Sequence, residues 1–188
     1  MFLNPFKRRD NPFTLVVGMT GVKMGDRLVQ IGCADAARLA AVAAKVGLSG
    51  RAAAVVPDTT TGAQVERAAA HAGVLVEVTV APWTRLPVED GGFDVAIVDD
   101  GAAGFSRLTR DEQTAVVRET WRVLRPGGRV MVVGATALTG LAGRLHPRTP
   151  DRLSVDPTPI LQADGYRAVR VLAERDGLIF YEGMKPRA

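Results

Sequence analysis

The sequence predicts an α/β domain: a mostly parallel sheet with helices on both faces, finished by an antiparallel hairpin. Three observations carry this. Short apolar segments alternate with helical patterns along the chain, an order that yields a parallel sheet with right-handed crossovers. Gly, Pro and capping residues punctuate the segments at the expected places. The tail, Tyr166–Ala173 and Leu178–Met184, reads as two strands about Arg175-Asp176-Gly177, and Asp-Gly is a strong hairpin signal.

The elements follow in order. Pro5, Pro12 and the charges between them make residues 1–12 a flexible N-terminal arm, leaving residues 13–188 as a single domain. Residues 13–22 are a short helix or an apolar lead-in, and Leu28–Ile31 is a first buried strand. Residues 35–46 place Leu39, Val42 and Val46 at helical spacing behind a cap at Asp35. Ala52–Val56 is a second strand, stopped by Pro57, and Thr61–Gln64 has capping-box spacing for a helix that ends at Gly73. Val74–Val80 alternates as a third strand. Phe93–Val98 is a fourth, ending at Asp99-Asp100. Thr109–Glu112 is a second capping box, opening a helix with Val117, Trp121 and Leu124 on one face. Pro126-Gly127-Gly128 breaks that helix before a fifth strand, Arg129–Val133. Residues 135–157 show no period and are long for a loop of a compact domain. A short helix over 158–164 precedes the hairpin.

Composition bounds the function. With 188 residues, 47% of them hydrophobic and only 5% aromatic, the chain has enough for one aliphatic core and too little for two. No apolar run approaches the ~18–20 residues of a membrane helix, and none follows Lys7-Arg8-Arg9 as a signal peptide requires. A single cysteine, Cys33, excludes an internal disulfide framework and suits a reducing cytoplasm. The net charge of +4 is mild and spread, apart from Lys7–Arg9 and the Arg144–Arg152 segment. No RNA-binding motif or aromatic stacking platform accompanies it, so nucleic acid is not an expected partner.

Three segments together resemble the class I S-adenosylmethionine-dependent methyltransferases of the small-molecule type. They are Gly25-Asp26-Arg27-Leu28-Val29-Gln30-Ile31-Gly32-Cys33-Ala34-Asp35-Ala36, Leu86-Pro87-Val88-Glu89-Asp90-Gly91-Gly92-Phe93-Asp94-Val95-Ala96, and Glu119–Val130 with its Arg122-Val123-Leu124-Arg125-Pro126-Gly127-Gly128 core. The closing strand–turn–strand, Ala163–Gly183, is similar as well, so the resemblance covers roughly residues 20–185. It implies a three-layer α/β/α Rossmann-like methyltransferase fold with strand order 3-2-1-4-5-7-6 and strand 7 antiparallel. Ligands bind beyond the carboxyl ends of strands where the order reverses, which puts the expected site at residues 32–36, 57–59, 81–84 and 99–105. A nicotinamide-dependent oxidoreductase is a poor alternative, since the chain lacks its G-x-G-x-x-G turn and ends in a hairpin.

The resemblance implies contacts that this chain keeps only in part. Gly32 matches the glycine-rich turn, where glycines let the backbone approach the cofactor's methionine portion, but Ala34 and Ala36 replace two glycines. Gln30 stands where an acid is usual; its amide oxygen still accepts a hydrogen bond but carries no charge. Val56 occupies the place of the acid that binds the ribose hydroxyls. Asp58, two residues on, either reaches in or begins a solvated cap with Thr59 and Thr60. Trp83, after strand 3, stacks on adenine, fills the pocket in its place, or packs as core.

Implied cofactor-binding residues are therefore Gln30, Gly32, Cys33, Ala34, Asp35, Asp58 and Trp83. Asp99 and Asp100 are the catalytic candidates. One of them is a general base for the acceptor's proton, or both are turn caps near Gly101; no partnering acid cluster supports a metal site. His71, in the last turn of a helix, reads as surface, and His146 lies in the aperiodic segment. Cys33 reads as a small buried residue with no adjacent base. The expected function is methyl transfer from S-adenosylmethionine to a small-molecule acceptor, by positioning more than by bond-making groups. The alternative is a non-catalytic module on the same fold, with residues 1–12 or 135–157 holding a partner. A homodimer or protein partner is compatible with either.

Overall fold

A computed structural model describes residues 12–137 and 154–187. The arm ahead of residue 12, most of the aperiodic segment and His146 lie outside the described residues. The sheet has seven strands: β1 (Arg27–Ile31), β2 (Arg51–Val56), β3 (Glu77–Val80), β4 (Phe93–Asp100), β5 (Leu124–Ala135), β6 (Arg167–Arg175) and β7 (Leu178–Met184). Their order is β3-β2-β1-β4-β5-β7-β6. β3, β2, β1, β4 and β5 pair in parallel, and β7 runs antiparallel to both β5 and β6. This is the Rossmann-like methyltransferase topology, antiparallel end included. The β6–β7 turn places Asp176 and Gly177 at φ 55° and 74°, the left-handed pair that a two-residue hairpin turn requires.

Among the described residues five helices cover the two faces: α1 (Thr14–Thr20), α2 (Ala36–Ala43), α3 (Thr59–Ala72), α4 (Arg110–Val123) and α5 (Thr158–Ala163). Strand side chains alternate between the faces. Val29, Ile31, Ala96, Val98, Val130 and Val132 pack with Val116 and Val117 of α4 and Leu161 of α5. Leu28, Val95, Ile97, Met131 and Val133 face the other way, toward Val16 and Val17 of α1 and Val42 of α2. α3 joins that second layer through Val65, packed with Leu39, Ala54 and Val56. Because of this alternation Asp99 and Asp100 leave β4 on opposite faces.

Several expected boundaries move. α3 starts at Thr59 with Asp58 as its cap, so Thr61 lies inside the first turn instead of opening a capping box. β3 begins at Glu77, three residues late. Val74 is consumed by the end of α3, where Gly73 turns left-handed (φ 67°) and the Val74 N–H bonds Ala69 O at 3.0 Å. α2 stops at Ala43. β5 starts directly after α4, at Leu124, and carries Pro126–Gly128 as an irregularity opposite Phe93–Val95. The second capping box forms as expected, Thr109 and Glu112 each satisfying the other's backbone.

The lower rim of the sheet is tied by ion pairs. Asp94 accepts from the Arg27 backbone N–H at 2.7 Å and from Arg125. Burial pushes its carboxyl up, but these bonds outweigh it and hold the pKa below the ordinary value. Glu119 is lowered chiefly by its bonds from Arg122, against opposing burial. Depressed carboxyl values stabilise the fold above the unfolded pKa, about 4, and that stability is lost as pH falls through the folded values. The urea midpoint is therefore expected to drop steadily below about pH 5, less steeply in Asp94→Asn; an unchanged slope in that variant contradicts the assignment.

Candidate functional site

The sheet order reverses between β1 and β4, so their carboxyl ends border the crevice where ligands of such sheets sit. β1 runs into a turn, residues 32–35, that opens α2. Gly32 is left-handed at φ 79°, and a Cβ there would lie 3.0 Å from both the Asp99 carbonyl oxygen and the Trp83 ring. Asp35 caps α2, its carboxylate accepting from the N–H groups of Ala37 (2.9 Å) and Arg38 (3.1 Å). Cys33 is a half-buried free thiol whose pKa is pushed up to about 11 by burial and by the nearby Asp99 charge. Its alkylation by iodoacetamide at pH 8 is expected to be far slower in native than in urea-unfolded protein, because the thiolate is the nucleophile. Equal rates would contradict this. Folding holds the proton between the unfolded and folded values, so this stabilising contribution fades as pH rises from about 9 to about 11.

Asp99 gathers the turn. Its side chain is 2% exposed and forms an ion pair with Arg38 of α2, itself 11% exposed. Arg38 Nη2 reaches Oδ1 at 2.8 Å and Oδ2 at 2.9 Å. Oδ1 also accepts from the Gly101 N–H at 3.0 Å, and Oδ2 from the Ala34 N–H at 3.0 Å. Gln30 Nε2 donates to Asp99 Oδ2 (3.3 Å) and to Gly32 O (3.1 Å). The carboxylate absent at position 30 thus enters the same turn from β4, with its charge balanced by Arg38.

Asp100 is fully buried on the other face. It accepts from Ser106 twice, from the N–H at 3.0 Å and from the hydroxyl. Ser106 Oγ in turn accepts from the Val155 N–H at 2.8 Å, and the Ser154 hydroxyl donates to Asp100 O at 3.1 Å. Asp100 therefore ties the loop after β4 to the chain returning at residue 154.

Asp58 is exposed and caps α3, accepting from Thr61 N–H at 2.8 Å and Thr61 Oγ1 at 3.0 Å; these bonds lower its pKa. Val56 is fully buried, as an apolar wall. Beside them opens a cleft of about 370 Å³ whose lining includes Pro57, Pro82, Trp83, Gly104 and Leu108. The benzo edge of Trp83 is wedged between Gly32 and Gly104; a Cβ at Gly104 would lie 2.6 Å from it. The indole Nε1 is buried without a hydrogen-bond partner among the described residues.

The structure thus brings Gln30, Gly32, Cys33, Ala34, Asp35, Trp83 and Asp99 together at one crevice. Asp58 sits at its edge, and Asp100 faces away from the turn. His71 is exposed. Arg38 was missed from sequence, although it is the only charged residue between Ala36 and Ala44 and shares a helical face with buried Val42, four positions on. Among the described residues no group of three His, Cys, Asp or Glu is arranged to hold a metal ion. Nor is any helix there long and apolar enough to cross a membrane.

A family model described as a methyltransferase domain matches residues 28–128, more than half of the chain. No curated protein matches the chain by sequence. Solved structures are similar in fold. A SAM-dependent methyltransferase from Aquifex aeolicus is 17% identical with a TM-score of 0.75, over 93% of this chain and 89% of that one. One from Methanosarcina mazei is 18% identical with a TM-score of 0.60, over 100% of both chains. The [4+2]-cyclase SpnF is 17% identical with a TM-score of 0.69, over 94% of this chain and 80% of that one.

Proposed function

The chain belongs to the methyltransferase-domain family, and on that premise we propose that it transfers a methyl group to a small-molecule acceptor in the cytoplasm. S-adenosylmethionine is the cofactor of this family. Two observations fit such a group. Gly32 leaves a cradle that a Cβ would fill, and the Trp83 indole N–H at the same crevice is a buried donor without a partner among the described residues. The turn from Gly32 to Asp35, with Gln30 behind it, would hold the methionine portion. Asp58 would meet the ribose at the rim, and the adenine would lie beside the segment after β3 that carries Trp83. When bound, the cofactor supplies a methyl already activated on sulfur.

What the chain itself contributes is position. Asp99 is a positioning residue: it holds the Ala34 N–H, Gly101 N–H and Arg38 in one arrangement, and small misplacements of a reacting pair cost rate steeply. Of the two aspartates, Asp99 is the one at the crevice, and proton removal from the acceptor would fall to it after it releases a present partner; Asp100 is buried on the other face. The observation that carries the reading is the left-handed Gly32 turn at the reversal of strand order, with a carboxylate delivered to it.

Calorimetric titration with S-adenosylmethionine and its demethylated product tests the proposal. Low-micromolar binding supports it, and no heat at high-micromolar ligand overturns it. Asp58→Ala is expected to weaken binding while Asp58→Asn, which preserves the helix cap, separates loss of charge from loss of α3. Unchanged affinity in both removes Asp58 from the ribose. A second reading, a non-catalytic module on this fold that takes a protein partner or a second copy, is favoured by one observation: the carboxylates of Asp99 and Asp100 are both fully engaged within the protein.

A further inference from the structure

We propose that the indole of Trp83 is a built-in plug of the cofactor cleft, holding the place of the adenosyl group in the resting protein and leaving when that group enters. This rests on the methyl-transfer reading above. The ring does not line the crevice from one side; its benzo edge bridges the crevice, from the end of β1 at Gly32 to the loop after β4 at Gly104. Both contact points are glycines. A Cβ would lie 3.0 Å from the ring at Gly32 and 2.6 Å from it at Gly104, so neither position tolerates a side chain while the ring is seated. The glycine that makes room for a cofactor in this kind of turn here makes room for a tryptophan.

The seat is incomplete in one respect. The indole N–H is buried with no acceptor among the described residues, and an unsatisfied buried donor favours departure to where water or a ligand oxygen can accept. The way out is short. Trp83 lies in the segment after β3 and is only half-buried, between exposed Pro82 and Thr84. The adjoining 370 Å³ cleft, walled by Pro57, Ala81 and Leu108, gives the ring a second place to rest. A plug and a stacking wall predict opposite signs when the ring is deleted. Removing a wall weakens the ligand; removing a plug tightens it, because the bound state no longer has to displace a seated side chain.

The test is calorimetric titration of the wild-type protein and Trp83→Ala with the demethylated product of S-adenosylmethionine. The plug predicts binding at least tenfold tighter in Trp83→Ala; equal or weaker binding overturns it. The chain has two tryptophans, so Trp121→Phe leaves Trp83 as the only indole emitter. Saturating ligand is then expected to move its emission to longer wavelength as the ring meets water. Emission that stays in place at saturation overturns the plug even if Trp83→Ala fails to fold. No heat from either protein is a different result: it removes the methyl-transfer reading, and the plug with it.

Discussion

Replacing Asp99 by alanine is expected to destabilise the protein by about 3–5 kcal/mol, the usual cost of stranding one partner of a buried ion pair. The residue is nearly inaccessible, and so is Arg38. Its loss strands the guanidinium and leaves the Ala34 and Gly101 N–H groups without their acceptor. Gln30 Nε2 loses one of its two acceptors and keeps its bond to Gly32 O. The pair itself is a different matter. Two charges taken out of water repay one another only in part, so Arg38→Met combined with Asp99→Leu is expected to cost less than the two single changes summed, a coupling of about 0.5–3 kcal/mol. Urea unfolding of Asp99→Ala and of the four proteins of the cycle (wild type, Arg38→Met, Asp99→Leu and the double variant) measures both. Additive single effects would show that the ion pair is not what holds the turn. Asp99→Asn keeps an acceptor oxygen and is expected to fall between the wild-type protein and Asp99→Ala.

Gly32→Ala is the second large effect, expected at about 2–4 kcal/mol. A left-handed conformation costs an L-residue roughly 1–2 kcal/mol, and φ is 79° here. The new Cβ also meets the Asp99 carbonyl oxygen and the Trp83 ring, both at 3.0 Å, and overpacking typically costs about 1–3 kcal/mol. The ring yields and the backbone oxygen does not. In a Trp83→Ala background the cost of Gly32→Ala is therefore expected to shrink without vanishing. An unchanged cost in that background would mean the ring is not seated against the turn.

The fold was legible because its signals are local and redundant. Alternating apolar runs and caps gave the parallel sheet, Asp176-Gly177 gave the closing hairpin, where backbone geometry admits few alternatives, and the family resemblance gave the strand order. The errors fell where two local signals compete within a few residues. Asp58 and Thr61 both read as caps, and the one that precedes the helical dihedrals prevailed. Val74 looked like strand, but its N–H belongs to the end of the preceding helix. The site was legible as a place and not as a set of contacts. Gln30 and Asp99 lie 69 positions apart and meet only because β1 and β4 are neighbours. A sequence reading of position 30 alone records a missing charge, when a carboxylate reaches the same turn from β4. Trp83 offered three equal roles because its neighbours Pro82 and Thr84 carry no pattern; its seat between Gly32 and Gly104 comes into view only once the loops are placed side by side.

The bonds at the far end of β5 carry a consequence for how this scaffold diversifies. Ala135 and Ser154 hold each other at both backbone and hydroxyl, at 2.8 and 2.7 Å, and Ser154 is fastened again to Asp100. Two positions fastened this way can be joined by connections of very different length at little cost, since closure entropy grows only with the logarithm of loop length. Insertions and exchanges between Ala135 and Ser154 are thus expected to leave the sheet beneath undisturbed, because both ends stay fastened to β5 and to the end of β4.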